Sequence, residues 1–533
     1  MQSRKAPNMH ANTSLESTDS TGWPLFALLL MVGCVSGAVL YHLDSRAFLY
    51  FGDAVSHVVR ARQFFDSQRP GFHNIGTVWL PLPHIVLMPL VAMDSLFYTG
   101  IAGSLVGIPC LAGTGLLLFH IIRRLTGSQP AAYLGGSLFG LNPNMVYMAL
   151  TPMNELLFLF LVTLGGYALL RWYQEKQESW LVVSSVGVVL ASLCRYEGWI
   201  LVPLLSLLSA WKGISLRRGG DRGGSLRIIG IACFCWAGVV FWAGWNQFEY
   251  GDPLKFARWT YSVAPGSTPG ISRLPPLQAL LMFGKALLVI FGPVVLVVAT
   301  RVLLSARWSS VNRLHSTGVL FFFSLPALFA LVAIMAGFVQ IDQWRWNWRY
   351  ALTASLFLSI AGGIAASEFF DRVHSTFARS AMVAGLLAMP IVQMLFSPVG
   401  VATYHDARRS ISDETRFAVA LGEQLRGVYV QGTIALLTGY SQAQTIMISS
   451  GLPLKQFHII YNPVEDNILG SLLSSERYLI IGKVRTPESE LFVNHWLSRR
   501  EDLLRYYEVV FEDGHHVFME RTLDSLPHSP PSQ

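Results

Sequence analysis

Four short segments carry residue types that could do chemistry. In the first, Asp53, His57 and Arg60 stand four and then three residues apart, which puts all three on one face if the segment is helical. A carboxylate, an imidazole and a guanidinium side by side suit acid–base work next to a phosphate. The same spacing also serves a solvated face with a local ion pair. In the second, Glu155 follows Thr151-Pro152-Met153-Asn154 and opens a long apolar run. An acid there can favour the helix dipole, yet a charge at the edge of a bilayer is costly and marks a functional candidate. In the third, Arg195 and Glu197 flank Tyr196 in a tight turn between two apolar runs. They either pair with each other or leave Arg195 facing an anionic headgroup. The fourth, from Gln340 to Tyr350, packs three Trp, one Tyr and two Arg into its last seven residues. Arg345 and Arg349 are one helical turn apart and can converge on one anion. Their aromatic neighbours suit an interfacial belt, a sugar or an isoprenoid. Trp79, in Trp79-Leu80-Pro81-Leu82-Pro83-His84, reads as an interfacial anchor.

The elements that must position these groups are apolar helices. The 533 residues are 52% hydrophobic and only 13% charged, about half the charged fraction usual in soluble proteins. That excludes a disordered chain and points to a polytopic membrane protein. Runs long enough to span lie near 23–43, 98–121, 130–149, 153–171, 179–194, 197–212, 228–248, 279–303, 317–339, 351–367 and 377–398, about 11 transmembrane helices. The first run is too long for a signal-peptide core and reads as a retained anchor. The stretch 80–93 is short and holds Pro81, Pro83 and Pro89, so it is expected on the outer surface or as a shallow re-entrant piece. With the N-terminus cytoplasmic, Arg123-Arg124, the cluster from Lys212 to Arg227, and Arg372 and Arg379 all fall inside, as basic loops should. The outer side then receives loop 44–97, the Thr151–Glu155 turn, loop 249–278, the turns at 194–197 and 340–350, and everything after residue 400.

Three domains are expected: a polar, disordered cytoplasmic tail, 1–22; a transmembrane domain, 23–400; and a small extracytoplasmic α/β domain, 401–533. The last carries a net charge of −4, leaving +11 for the rest. Strands are expected at 433–438, 457–461 and 478–482, helices at 409–425, 441–449 and 488–504, and a hairpin at 506–520 around Asp513-Gly514. No glycine-rich phosphate loop follows any strand. The five cysteines sit in or beside apolar runs and read as small buried hydrophobes. A basic loop explained by topology argues against nucleic acid.

In order and in shared side, these segments resemble the integral-membrane glycosyltransferases of the GT-C fold. The likeness is greatest to the bacterial relatives of protein O-mannosyltransferases and aminoarabinose transferases. Asp53 matches the acid just outside the first span, Trp79 to Pro83 the return of that loop, and Thr151 to Glu155 the turn before a later span. Arg195 to Gly198 matches an Arg-Pro-Glu-Gly turn but has Tyr196 in place of the proline, and Arg349-Tyr350 matches an Arg-Tyr pair opening a late span. The resemblance implies transfer of a sugar from a polyprenyl-phosphate donor to a glycan, lipid or protein acceptor at the outer face of the cell membrane. It implies Asp53 as general base and Arg195, Arg345 and Arg349 on the lipid phosphate, with His57, Arg60, Glu197, Tyr350 and Trp79 as further substrate contacts. Glu155 would either shape the site or join Asp53 in holding a divalent ion; no other cofactor is implied. Single displacement would invert the anomeric centre. The competing reading is a transporter or flippase of lipid-linked saccharides, which should place ionisable residues at mid-span. Here they gather at span ends.

Overall fold

In a computed structural model, residues 21–259, 275–339, 347–460, 476–483 and 498–522 are described, apart from 77, 293, 296–297, 299–309, 337, 397–398, 410 and 412. The tail 1–20, Arg345 and most of the helix expected at 488–504 lie outside them.

The helices in chain order are α1 (Trp23–Asp44), α2 (Gly52–Gln63), α3 (Leu82–Val91), α4 (Asp94–Thr99), α5 (Ile101–Thr126), α6 (Gln129–Gly140), α7 (Pro143–Leu150), α8 (Glu155–Glu175), α9 (Glu178–Ser192), α10 (Leu201–Arg218), α11 (Arg222–Phe234), α12 (Ala237–Tyr250), α13 (Lys255–Trp259), α14 (Pro276–Phe291), α15 (Ser310–Met335), α16 (Ser355–Arg372) and α17 (Thr376–Phe396). Among the described residues six are long and apolar enough to cross a membrane: those at Trp23–Leu49, Ile101–Thr126, Glu155–Glu175, Tyr196–Arg218, Ser316–Met335 and Trp348–Arg372. The pair α11 and α12, bent by 44°, makes a seventh if taken as one span. Other expected spans coincide with shorter or broken helices. The run 130–149 is α6 and α7, interrupted at 141–142, where Asn142 Oδ1 accepts the Asn144 N–H and Pro143 opens the new helix. The run 179–194 is the 15-residue α9. The proline-rich stretch 80–93 folds as the ten-residue α3, too short to cross a bilayer.

α5 is the hub, packed on α1, α6, α7 and α8. Its glycines allow backbone-to-backbone approach. A Cβ on Gly103 would lie 2.1 Å from the Pro152 nitrogen, and one on Gly107 2.3 Å from the Ala149 carbonyl. Only glycine lets the Thr151–Asn154 turn, and so the start of α8, sit this close. Of the cysteines, Cys110, Cys194 and Cys235 are buried while Cys34 and Cys233 are exposed, the exposed pair on apolar helices α1 and α11.

The C-terminal region contains α18 (Ala402–Arg409), α19 (Asp413–Val428), α20 (Tyr440–Ser450), the short α21 (Arg500–Leu503) and five strands: β1 (Ile434–Leu437), β2 (Phe457–Ile459), β3 (Tyr478–Gly482), β4 (Tyr507–Glu512) and β5 (His516–Arg521). Strand order is β2-β1-β3-β5-β4. β1 runs parallel to both neighbours, whereas β5 is antiparallel to β3 and to β4. Alternation sends Ile434, Leu436, Tyr478, Ile480 and Phe518 into the core shared with α19 and α20, and Ala435, Leu437, Leu479, Ile481 and Val517 to the other face. The hairpin turns at Asp513, whose carboxylate accepts the N–H groups of His515 and His516.

That first core extends beyond the sheet. Val55, Val58 and Val59 of α2 are buried in it with Leu421, Ile446 and Met447. Ser56 hydrogen-bonds Gln444 across the junction, the Lys455 N–H donates to Asp66 at 3.0 Å, and the Tyr98 hydroxyl donates to the Leu452 carbonyl at 3.1 Å. The α/β domain thus packs directly on the back of α2.

Candidate active site

The candidate residues come from element ends that the sequence keeps far apart. Asp53 lies in the first turn of α2, and Glu155 is the first residue of α8. Arg195 leads from α9 into a 3-10 turn, Tyr196–Gly198, and Arg349 and Tyr350 sit in a 3-10 turn, Trp348–Ala354, that opens α16. Folding joins them in one ladder of alternating charge. Arg349 Nη2 donates to Asp53 Oδ2 at 2.5 Å, and its Nε lies 3.7 Å from Glu155 Oε1. Arg195 Nη1 donates to the same Glu155 oxygen at 2.8 Å and to Asn154 Oδ1 at 2.6 Å, and Nη2 donates to Glu197 Oε1 at 2.6 Å. The Tyr350 ring lies 5.2 Å from the Arg195 guanidinium and 5.6 Å from that of Arg349. These contacts satisfy charges that would otherwise be expensive to bury.

The ladder forms one wall of a cavity of about 350 Å³. Asp53, His57, Trp79, Arg195, Glu197, Arg349 and Tyr350 line it together with the apolar side chains of Trp199, Phe256, Phe329, Ala333, Phe338 and Val339. Asp53 exposes 36% of its side chain, whereas Arg349 exposes 10% and Glu155 3%. Asp53 is therefore the carboxylate presented to an occupant, and Glu155 stands behind the arginines. Glu155 Oε2 and Arg349 Nε are buried without a hydrogen-bond partner among the described residues. Arg60, two turns along α2 from Asp53, is not among the cavity-lining residues.

Burial works against a charge on Asp53, but Arg349 above all, with help from Arg195, holds its carboxyl below the usual value. Burial pushes the His57 imidazole down to about 4; Asp53 opposes this, while Arg349 and Arg195 reinforce it. At neutral pH the first turns of α2 present a carboxylate and an uncharged imidazole. His57 Nδ1 lies 2.9 Å from His84 Nε2, and His84 Nδ1 lies 2.5 Å from the Ile75 carbonyl. The ring of Trp79 is 5.5 Å from that of His57.

A divalent ion held by Asp53 and Glu155 is not what this donor set fits. Both carboxylates already face the Arg349 guanidinium, and the described residues contain no cluster of three or more His, Cys, Asp or Glu side chains suited to a metal. The sequence singled out the acids and arginines but passed over three partners. Asn154 completes Arg195, and His84 holds His57. Asp406 of α18 accepts the backbone N–H groups of Asn347 and Trp348 at the start of the turn that carries Arg349. Asn154 and His84 lie within segments already noticed; Asp406 has no motif around it and becomes visible only in three dimensions.

Comparison with solved structures gives the architecture a precedent. Over 95% of this chain and 99% of the other, the fold superposes on ArnT from Cupriavidus metallidurans bound to undecaprenyl phosphate, with a TM-score of 0.56 at 12% identity. The chain has the GT-C fold. The apo form of the same ArnT aligns over the same shares at 14% identity and a TM-score of 0.43. Residues 96–242 match the family described as dolichyl-phosphate-mannose-protein mannosyltransferase. No curated protein sequence matches the chain. Within the GT-C fold, the matched segment runs from α4 through α12 and contributes Glu155, Arg195 and Glu197, while Asp53 and Arg349 enter from either side of it.

Proposed function

We propose that this chain is a multi-pass membrane glycosyltransferase. It would transfer a sugar from a polyprenyl-phosphate donor to a hydroxyl of a glycan, lipid or protein. The observation that carries the reading is the cavity itself, whose lining joins the Asp53 carboxylate and two guanidinium groups to apolar side chains such as Phe256, Phe329, Ala333 and Phe338. An isoprenoid suits those apolar side chains, a phosphodiester suits Arg195 and Arg349, and an acceptor hydroxyl suits Asp53. The GT-C fold and the mannosyltransferase-family match over 96–242 support the same class.

Displacement at the anomeric carbon requires removal of the acceptor's proton and stabilisation of the departing lipid phosphate. Asp53 accepts the proton; the acceptor oxygen bonds to the anomeric carbon as the sugar–phosphate bond breaks, with inversion. Arg349 and Arg195 take up the negative charge of the leaving phosphate. The Arg349–Asp53 bond weakens Asp53 as a base. A phosphate drawing on that guanidinium would raise the basicity of Asp53 when the donor is in place. Glu155 keeps both arginines oriented, and Tyr350 covers them. The basic loops support an outer-face position for the site and for the 401–533 domain. The supporting experiment is sugar transfer from a polyprenyl-phosphate donor by purified wild type and Asp53→Asn. Transfer should fall at least 100-fold with expression unchanged; equal transfer overturns the assignment.

A further inference from the structure

His57 and His84 are buried, at 1% and 0% exposure, and joined Nδ1 to Nε2 at 2.9 Å. The far nitrogen of His84, Nδ1, lies 2.5 Å from the Ile75 carbonyl. A carbonyl only accepts, so His84 Nδ1 carries a proton and donates it. A neutral ring protonated there has a bare lone pair at Nε2, which requires a donor. Among the described residues, the donor at that contact is His57 Nδ1–H. His57 is then left with an unprotonated Nε2 on the edge of the ring not used by His84, and it is His57 that lines the cavity. The backbone at Ile75 thus fixes, through two rings, which nitrogen of His57 holds the proton.

The surroundings keep both rings neutral. Burial dominates for each; Arg349 and Arg195 face His57 and oppose a proton, and Asp53 favours one. Arg60 and His57 both act against a charge on His84.

We propose that this relay makes His57 a dedicated hydrogen-bond acceptor for a hydroxyl of the donor sugar, with His84 as its positioning residue. The inference rests on the glycosyltransferase reading above and deepens it. The polar lining of the cavity then divides its labour. The two guanidiniums take the phosphate, and His57 Nε2, one helical turn from Asp53, takes a hydroxyl. A site built to accept from a hydroxyl discriminates strongly against a ligand that lacks one, because its lone pair would be left buried and unmet.

The test uses the full-length protein in detergent and two probes, polyprenyl-phosphate mannose and bare polyprenyl phosphate. His57→Leu should weaken binding of the mannose lipid about tenfold, the worth of one lost hydrogen bond, and leave the bare lipid phosphate unchanged. His84→Leu should do the same by releasing the tautomer. His84→Gln should restore binding, because its amide oxygen can accept from His57 Nδ1–H. Nitrogen-15 NMR of histidine-labelled protein gives a readout that needs no lipid. Wild type should show His57 protonated at Nδ1, and His84→Leu should shift it towards the Nε2-protonated form. A wild-type His57 protonated at Nε2 overturns the relay. Equal weakening of both lipids by His57→Leu, or of neither, overturns the hydroxyl assignment. Wild-type protein that binds neither lipid overturns the glycosyltransferase reading and the sugar ligand with it, while the NMR result still judges the relay.

Discussion

At the scale of single residues, the site depends on how its buried charges are paired. Arg195 bridges Glu155 and Glu197, all three nearly inaccessible. Arg195→Met would leave Glu197 buried without its cation and Glu155 with only the 3.7 Å contact to Arg349, a loss of about 3–5 kcal/mol for a pair broken on one side. A fall in thermal midpoint and in membrane yield would register it. Glu197→Gln keeps an acceptor for the guanidinium and should be much milder. Histidine chemistry gives a pH dependence. The folded-state value of His57, about 4, is depressed below the ordinary 6.5, so its stabilising contribution is complete above pH 6.5 and is lost as pH falls towards 4. The loss is roughly 3 kcal/mol across that window. Thermal melts from pH 7.5 to 5 should slope more steeply for wild type than for a His57→Gln, His84→Gln double variant; parallel slopes would contradict a neutral buried pair. Asp53 works in the same direction at lower pH, since its depressed value makes its contribution disappear only as acid reaches the carboxylate range. Asp53, Glu155, Arg195 and Arg349 were legible in the sequence because charges are rare in it and these four sit at the ends of apolar runs. Their pairing was not: Arg349 and Asp53 are 296 residues apart, and no local pattern encodes a contact at that range.

At the scale of elements, two supports hold the ladder in place. One is the close crossing of α5 and the Thr151–Asn154 turn at Gly103. Gly103→Val would push against the Pro152 backbone, which cannot yield as a side-chain tip would. It should displace Glu155 and reduce transfer at least tenfold; a variant of normal activity would show that this crossing does not position α8. The second support is the α/β domain behind α2. One side of that helix carries Asp53 and His57 towards the cavity, and the valines of the other are buried on α19 and α20. Ile446→Ala removes volume from this junction and should cost about 2–4 kcal/mol. Transfer should fall with it although position 446 is absent from the cavity lining; unaltered transfer in a destabilised variant would separate the domain from catalysis. Strands β1, β2 and β3 and the hairpin were legible from alternation and from the Asp513-Gly514 turn. The interruption between α6 and α7 was not, because hydropathy averages across Asn142-Pro143 while backbone hydrogen bonding does not.

For the whole molecule, the division of charge places a basic helical part beside an acidic α/β domain. The fold-level likeness to ArnT extends over both. Val430 is 71% exposed in the α/β domain. Val430→Cys, in a background with Cys34 and Cys233 replaced by Ser, should react with an impermeant thiol reagent in intact spheroplasts. Labelling only after lysis would reverse the assigned sidedness.

If Arg349 and Arg195 hold a lipid phosphate beside Asp53, a structure of the full-length protein with polyprenyl phosphate will show phosphate oxygens within hydrogen-bond distance of both guanidiniums. The isoprenoid tail should then run along Phe329, Ala333 and Phe338. A phosphate bound away from both arginines, with the Asp53–Arg349 pair undisturbed, would overturn the proposed donor site.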